Sequence, residues 1–213
     1  MFTLYGSTGS GSAAVEGALL LCGAPFRTVR ASSWEADSDQ AALLKINPLG
    51  QIPTLQLPDG SVLTESAAIL IHLGLVFPAS GLLPADASAR AQAIRGLVYI
   101  VANCYASISV IDFPERFSEG GDEAMHKAIR AGARHWLHRC WSVFADQFNA
   151  GDAPFFGGAQ PGALDLLATV VSRWAGTRAH LRENRPALLA LAERTQAHPA
   201  LAELFKRHWP KAA

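Results

Sequence analysis

The chain has few charged residues, few cysteines and no long hydrophobic run, and each of these shortages excludes a class of protein. Only 17% of its 213 residues are charged and 50% are hydrophobic, which excludes an intrinsically disordered chain. The 18 basic and 18 acidic side chains balance, so net charge favours neither nucleic acid nor an anionic membrane. No run approaches the roughly 18 uncharged apolar residues that span a bilayer. The first residues, MFTLYGSTGS, lack the basic segment typical of a secretory signal. We therefore expect a globular, cytoplasmic protein without membrane or nucleic-acid partners.

Cysteine and histidine are too sparsely placed for a disulfide framework or a metal site. Cys22, Cys104 and Cys140 are odd in number and far apart, so neither a set of disulfides nor a CxxC motif exists. Each lies in an apolar helical pattern and is expected to be a small buried side chain. His135 and His138 are three apart on a predicted helix, but nothing completes a ligand set. We expect no metal and place both histidines on a solvated helix face.

The order of predicted elements indicates an α/β unit followed by helices. Strands are predicted at 2–5, 25–30, 53–57 and 61–64, and helices at 13–22, 41–46 and 65–77. The Pro58-Asp59-Gly60 turn between the last two strands is typical of a hairpin. Further helices are predicted at roughly 88–111, 123–149, 162–181, 185–197 and 199–207. The prediction is an α/β domain at 1–77, a proline-containing linker at 78–87 and an all-α domain at 88–213.

A run of small residues separates the first strand from the first helix. The seven residues from Gly6 to Ser12 let another molecule approach the backbone closely, and the helix that follows attracts negative charge at its N-terminus. The spacing is not that of a P-loop, so phosphate binding is disfavoured. The run indicates either a ligand site or a flexible turn with a serine N-cap.

Two later segments also carry polar groups at element junctions. Pro53 opens a strand predicted to be central, where a cis Ile52–Pro53 bond would present the Ile52 N–H and C=O to a peptide main chain. Thr64-Glu65-Ser66 joins the last strand to the next helix. Glu65 either complements the helix dipole or, with Ser66, holds the amine and carboxylate of a ligand.

Together these residues resemble a known family. The segment NPLGQIPTLQLPDGSVLTESAAILIHL looks like the glutathione-binding half of the glutathione transferases. Asp165 in Pro161-Gly162-Ala163-Leu164-Asp165 is similar to the family's helix-capping motif, although Gly162 replaces the usual threonine or serine. The resemblance covers nearly the whole chain. It implies a thioredoxin-like N-terminal domain followed by an all-helical C-terminal domain.

The resemblance implies roles in glutathione binding for residues of both segments. Ile52 would pair its backbone with the cysteinyl part of glutathione, and Glu65 and Ser66 would hold the γ-glutamyl end. Gln51 and Pro53 would lie beside the peptide.

Three residues are candidates for the one that supplies the catalytic hydroxyl. The family takes it from the end of the first strand, where Tyr5 stands, or from the start of the first helix, near Ser10 and Ser12. Gly11 stands about where the cysteine type has its cysteine, which disfavours that type. Lowering a thiol pKa by two units requires about 2.7 kcal/mol, which one hydroxyl and a helix N-terminus together supply. Ser10 has access to both and is preferred, with Ser12 as a glutathione contact or N-cap.

The second substrate is expected to meet the first long helix of the second domain. Asn103, Tyr105, Ser107 and Phe113 lie where the family lines its electrophile pocket, and Tyr105 and Phe113 are taken as its contacts. Ordinary packing is the alternative. Arg116, after the helix break at Pro114, points into the cleft or pairs with an acid. The tryptophans are expected to be core or interface aromatics: Trp34, Trp136, Trp141, Trp174 and Trp209.

The resemblance implies a cytoplasmic glutathione transferase acting in detoxification. Glutathione would be the cosubstrate, and its activated thiol would attack a hydrophobic small molecule by addition or substitution, or would reduce a peroxide. A homodimer is implied, in which the last helix of the first domain packs on the partner's first long helix. Alternatives are a non-catalytic glutathione- or ligand-binding interaction protein, a glutathione-dependent disulfide reductase and a dehalogenase.

Overall fold

In the computed structural model, which describes residues 1–210, the first part of the chain forms a mixed four-stranded sheet with helices. The strands are β1 (Phe2–Gly6), β2 (Phe26–Arg30), β3 (Thr54–Gln56) and β4 (Val62–Leu63), and the helices are α1 (Ser12–Leu21), α2 (Gln40–Ile46) and α3 (Ser66–Val76). The strand order is β2-β1-β3-β4. Strand β1 is parallel to β2 and antiparallel to β3, which is antiparallel to β4. The predicted thioredoxin-like N-terminal part is confirmed.

The rest of the described chain is helical, as predicted. Its helices are α4 (Ala87–Tyr99), α5 (Ala106–Asp112), α6 (Glu123–Gln147), α7 (Ala163–Val171), α8 (Thr177–Asn184), α9 (Pro186–Ala197) and α10 (Ala202–His208). A π-helical segment, Ile100–Tyr105, joins α4 to α5 without a break. The predicted domain and linker boundaries stay a prediction.

One predicted helix is wrong. The segment predicted as continuous over 162–181 is divided into α7 and α8. Ala175 and Gly176 between them have φ values of 55° and 77°. Two successive residues with positive φ cannot continue a right-handed helix, so the chain turns there.

The two parts share one hydrophobic core because α1 is apolar on almost every side. It packs against β1 and α3 and also against α7 and α10. Gly17 lies at the crossing, where an added Cβ would stand 2.9 Å from a Leu166 methyl carbon and 3.2 Å from one of Leu204. The loop before α1 is thereby held close to the helices of the second part.

The capping carboxylate of α7 is fully buried. Asp165 accepts backbone hydrogen bonds from Phe156 at 2.8 Å, from Gly157 at 3.1 Å and from the N-cap residue Gly162 at 2.8 Å. Burial nevertheless raises the pKa of Asp165 to about 6. A Cβ at Gly162 would lie 3.0 Å from the Leu82 carbonyl oxygen, so a larger residue there would require that backbone to shift.

The continuous helical stretch Ala87–Asp112 is long and apolar enough to cross a membrane by length and composition alone. Its mean hydropathy reaches 1.5 over 18 residues, so the expectation that no run approaches this limit is too strong. In the fold the stretch packs against α6 and α7, with Leu97, Ile100 and Cys104 fully buried, although only 39% of that window is buried.

Several expected environments differ in the structure. Cys104 and Cys140 are buried as predicted, but Cys22 is only half-buried. His138 does not lie on a solvated face, because its ring stacks on His180 at 4.6 Å and bonds the Ala175 carbonyl. Within residues 1–210, no cluster of three His, Cys, Asp or Glu residues suits a metal ion.

Candidate functional site

A cleft of about 800 Å³ runs between the sheet-containing part and the helical part. One wall is polar and consists of the loop before α1, the turn before β3 and the start of α3. The opposite wall comes from the π-helical segment, α5 and the residues after it, and is largely apolar. Most of the predicted site residues line this cleft: Ser10, Gln51, Ile52, Pro53, Glu65, Ser66, Tyr105 and Phe113. Their individual roles stay predictions.

The loop before α1 folds around the carbonyl oxygen of Ser7. The Ser10 hydroxyl lies 2.7 Å from that oxygen and 2.8 Å from the Ser12 hydroxyl. Ser12 Oγ also approaches the Ser7 carbonyl at 3.2 Å and accepts the Ser7 N–H at 3.2 Å. Ser10 lines the cleft, whereas Ser12 lies behind it and is not among the lining residues. Ser12 therefore contacts Ser10 from within the loop, on the side away from the cleft.

Tyr5, the third candidate for the catalytic hydroxyl, lies elsewhere. It is buried in a small cluster with Ala31 and Leu43 and is not among the residues that line the cleft. Tyr5 is therefore a buried strand aromatic that packs on its neighbours. Of the three candidate residues, only Ser10 lines the cleft.

The turn before β3 is organised by a buried asparagine. The Asn47 side chain donates to the Gln51 carbonyl and to Thr54 Oγ1, both at 3.0 Å, and accepts the Leu49 N–H at 3.2 Å. The Ile52–Pro53 bond is cis, as predicted. No hydrogen bond within residues 1–210 engages the N–H or C=O of Ile52. These two groups therefore remain available at the cleft for the main chain of a peptide.

The residue before α3 has an unusual backbone conformation. Glu65 has φ 64° and ψ 111°, a combination that side-chain-bearing residues rarely adopt and that costs about 1–3 kcal/mol. Its side chain is exposed at the cleft, while Ser66, the first residue of α3, is buried. Strain of this kind concentrates where a side chain has to be aimed at a ligand.

The apolar wall follows one face of the π-helical segment and α5. Val101, Tyr105, Ile108 and Asp112 recur at helical spacing and all line the cleft. Asn103 and Ser107 are not among the lining residues, and their side chains bond to carbonyl oxygens of their own helix, which matches the alternative of ordinary packing.

Two aromatic residues of this wall, Tyr105 and Phe113, each have a stacking partner. Tyr105 stacks on Trp174 with ring centres 5.6 Å apart, and the Arg116 guanidinium lies 3.9 Å from the ring centre of Phe113. Both pairs line the cleft, so Arg116 points into it as one of the two alternatives stated. Burial of Asp112 raises the pKa of its carboxyl.

Two tryptophans expected in the core or an interface line the cleft, although Trp174 also packs against the core as predicted. Trp174 lines it through the stack on Tyr105, and Trp34 lines it from the loop after β2 with 61% of its surface exposed. The Trp34 loop is tied to the loop before α1, because Glu35 accepts hydrogen bonds from Ser7 at 2.7 Å and from Ser32 at 2.8 Å. These two hydrogen bonds lower the pKa of Glu35.

Comparison with known proteins gives a consistent result. The family model for the glutathione S-transferase N-terminal domain matches residues 12–75 of the sequence. The chain is 30% identical to the uncharacterized GST-like protein YncG of Escherichia coli strain K12, over 98% of each chain. It is 26% identical to maleylacetoacetate isomerase of Pseudomonas aeruginosa, over 99% of this chain and 97% of that one.

A solved structure has the same fold over nearly the whole length. The glutathione S-transferase of a sphingomonad, complexed with glutathione, superposes with a TM-score of 0.71 at 25% identity. The alignment covers 97% of this chain and 98% of the other.

Proposed function

The chain belongs to the glutathione S-transferase family, as its 30% identity to a GST-like protein over 98% of both chains shows. We propose that it binds glutathione in this cleft and activates its thiol. The observation that carries the proposal is the convergence of Ser10, Ile52 and Glu65 on the polar wall, opposite an apolar wall. A peptide ligand and an apolar electrophile would then meet at the mouth of α1.

The polar wall supplies groups for each part of the tripeptide. The free N–H and C=O of Ile52 pair with the cysteinyl main chain, as an added strand does at a sheet edge. Glu65 binds the γ-glutamyl ammonium, and Ser66, at the N-terminus of α3, binds the neighbouring carboxylate. Gln51 and Pro53 lie beside the peptide.

Ser10 stabilises the thiolate. Its proton points towards the Ser7 carbonyl in the structure, but Ser12 Oγ is within 3.2 Å of the same oxygen and can replace Ser10 there. The Ser10 O–H is then released towards an anionic sulfur, and a hydrogen bond to a charged acceptor contributes about 1.5–3 kcal/mol. The N-terminus of α1 adds about 0.3–1 kcal/mol. These two contributions together lower a thiol pKa by about one to three units.

The chemistry balances without a further reagent. The thiol proton leaves to solvent. The sulfur electron pair then forms a bond to the electrophilic carbon of a substrate that is bound against the apolar wall. In a substitution the leaving group departs with its bonding pair. In an addition the resulting carbanion takes a proton from water. Val101, Ile108 and Phe113 favour a hydrophobic electrophile.

The test is the ultraviolet absorbance of the thiolate of bound glutathione, measured against pH. The parent is expected to ionise the thiol at least one unit below the ordinary value of about 8.5. Ser10→Ala is expected to lose most of that shift. Ser80→Ala is the matched control, since Ser80 Oγ donates to the Phe77 carbonyl away from the cleft. Turnover of chlorodinitrobenzene is measured on the same proteins.

Different outcomes separate the enzyme from a binding protein on the same scaffold. Saturable glutathione binding with an ordinary thiol pKa and no turnover would support the non-catalytic binding protein. No glutathione binding at all would contradict both proposals. Reduction of a glutathione mixed disulfide, or release of halide from a haloalkane, would identify the reductase or the dehalogenase.

Glutathione-dependent isomerisation is a second candidate function. The similarity to a maleylacetoacetate isomerase extends over the full chain, and the cleft carries a cation, Arg116, suited to an anionic substrate. Arg116→Leu is expected to abolish isomerisation of maleylacetoacetate while leaving glutathione binding intact. Unchanged isomerase activity in that variant would contradict this role.

A homodimer is proposed through α3 of one protomer and α4 of the other. Exposed apolar side chains on both helices support it, namely Leu75 and Val76 on α3 and Val98 on α4. Sedimentation is expected to give a dimer for the parent and a monomer for Leu75→Glu. Leu20→Glu, at another exposed apolar position, is the control and should remain a dimer.

A further inference from the structure

The hydroxyl of Tyr105 lies against the backbone of Gly11, at the mouth of α1. A Cβ added at Gly11 would stand 2.1 Å from the hydroxyl oxygen and 3.1 Å from the ring carbon that bears it. Gly11 has φ −60° and ψ −18°, which any residue adopts. The glycine is therefore needed for the close approach of Tyr105 and not for the backbone conformation.

The ring is held in this place, but its hydroxyl has no partner. Tyr105 stacks on Trp174, and the two rings are inclined by only 23°. No hydrogen bond to the Tyr105 hydroxyl is formed by any of the residues from 1 to 210. Burial and the nearby Asp112 carboxyl raise the pKa of Tyr105 to about 12, so the phenol keeps its proton at neutral pH.

The neighbouring serine hydroxyls differ from Tyr105 in this respect. The hydroxyls of Ser10 and Ser12 are 2.8 Å apart and both approach the Ser7 carbonyl. Each has a partner inside the loop, and Ser10 becomes a donor to the sulfur only when Ser12 replaces it at the Ser7 carbonyl. Tyr105 instead presents an uncommitted donor at the same point, from the opposite wall of the cleft. A half-buried, unpaired hydroxyl in a cleft is a donor for a ligand atom.

We propose that Tyr105 is a second donor to the sulfur of bound glutathione, so that the thiolate is held between a serine hydroxyl and a tyrosine hydroxyl from opposite walls. The inference rests on the proposed function. Tyr105 keeps its own proton throughout: its O–H donates to the anionic sulfur, and this bond lengthens as the sulfur forms its bond to carbon. The expected role of Tyr105 as a contact for the electrophile alone is thereby extended to the thiol.

The first test is Tyr105→Phe, which keeps the stack on Trp174 and removes only the hydroxyl. The pKa of bound glutathione is expected to rise by at least one unit, a tenfold loss in the thiolate equilibrium. Glutathione affinity at low pH, where the thiol is neutral, is expected to change less than about threefold. Tyr99→Phe is the matched control, since its hydroxyl donates to the Cys140 carbonyl at 3.0 Å within the helical part.

The second test uses the contact between Gly11 and Tyr105. Gly11→Ala is expected to displace the phenol and to raise the thiol pKa as much as Tyr105→Phe does. In the Tyr105→Phe background, Gly11→Ala should have a smaller effect, because the oxygen at 2.1 Å is absent and only the ring carbons at 3.1 Å and 3.3 Å remain near the added Cβ. Equal, additive effects in the two backgrounds would overturn the proposed contact.

The outcomes distinguish this inference from the proposed function. If Ser10→Ala raises the thiol pKa while Tyr105→Phe matches Tyr99→Phe, the role of Tyr105 is overturned and the proposed function is supported. If the parent binds glutathione with an ordinary thiol pKa, both are overturned. Ligand binding at low pH confirms that each variant is folded.

Discussion

His208 Nδ1 accepts a hydrogen bond of 3.1 Å from the backbone N–H of Gly9, across 199 positions of sequence. On its other side, His208 Nε2 lies 2.8 Å from a carboxylate oxygen of Glu16. The carboxylate holds the imidazole proton on Nε2, which leaves the Nδ1 lone pair for Gly9. The short C-terminal helix α10 thus fixes the loop that carries Ser10.

Removing this imidazole is expected to loosen the loop before α1. His208→Ala should raise the pKa of bound glutathione and lower kcat/KM about tenfold, because the donors at the sulfur are no longer held in place. The free energy of unfolding should fall by about 1–3 kcal/mol, since Glu16 loses a buried partner. Chemical denaturation and steady-state kinetics measure both effects.

Two comparison variants make the His208 prediction specific. His208→Asn supplies a side-chain oxygen in place of Nδ1 and should recover part of kcat/KM. His198→Ala removes a histidine that bonds Gln160 at 3.0 Å outside the cleft and should leave the thiol pKa unchanged. A loss of stability without any change in thiol pKa would reduce His208 to a structural role.

The positive φ of Glu65 predicts opposite effects on stability and binding. Glu65→Gly should raise the free energy of unfolding by about 1 kcal/mol, because glycine adopts this conformation freely. The same change should weaken glutathione binding at least about tenfold through loss of the carboxylate. Thermal unfolding and calorimetric titration are the measurements.

Ala175 provides the matched control for Glu65. It also has a positive φ, 55°, but lies in the turn between α7 and α8. Ala175→Gly should stabilise the protein similarly and leave glutathione affinity unchanged. Equal affinity for glutathione in both glycine variants would contradict the role proposed for Glu65.

The side chain of Asn47 supports the turn that presents Ile52. Asn47→Ala removes three hydrogen bonds and leaves buried groups unsatisfied, so the free energy of unfolding should fall by about 2 kcal/mol. Glutathione affinity should fall about tenfold as the turn loses its shape. Asn149→Ala, at an exposed turn, should change neither quantity measurably. An unaltered glutathione affinity in Asn47→Ala would show that the turn keeps its shape without this side chain.

The raised pKa of Asp165 predicts how stability depends on pH. Between about pH 4 and pH 6 the unfolded chain releases this proton while the folded protein retains it. The free energy of unfolding should therefore fall as pH rises through this interval, by up to about 3 kcal/mol. Asp165→Asn should be less stable at low pH and should lack this part of the slope. Urea unfolding at several pH values tests it, and equal slopes in the two proteins would contradict it.

The sequence by itself determined the elements whose information is local. The positions of the strands along the first part of the chain, the cis bond before Pro53 and the junction at Glu65 follow from proline, turn residues and hydrophobic periodicity over a few positions. The helix predicted over 162–181 was wrong because the turn that divides it does not depend on local information. A positive φ at Ala175 depends on surrounding contacts, such as the bond from His138, and not on alanine's own preference.

Only the tertiary structure decided which distant residues meet at the mouth of α1. Ser10 faces the cleft and Ser12 does not because the loop closes around one carbonyl oxygen. Tyr105 and His208 reach that loop from the helical part, and their positions depend on how α1 crosses α7 and α10. Hydrophobic spacing identifies the buried face of a helix, but the packing angle and the rotation of each helix come from side chains on both partners. The sequence therefore indicated the family and the wall proposed to bind the peptide, while the fold selected the groups proposed to contact the sulfur.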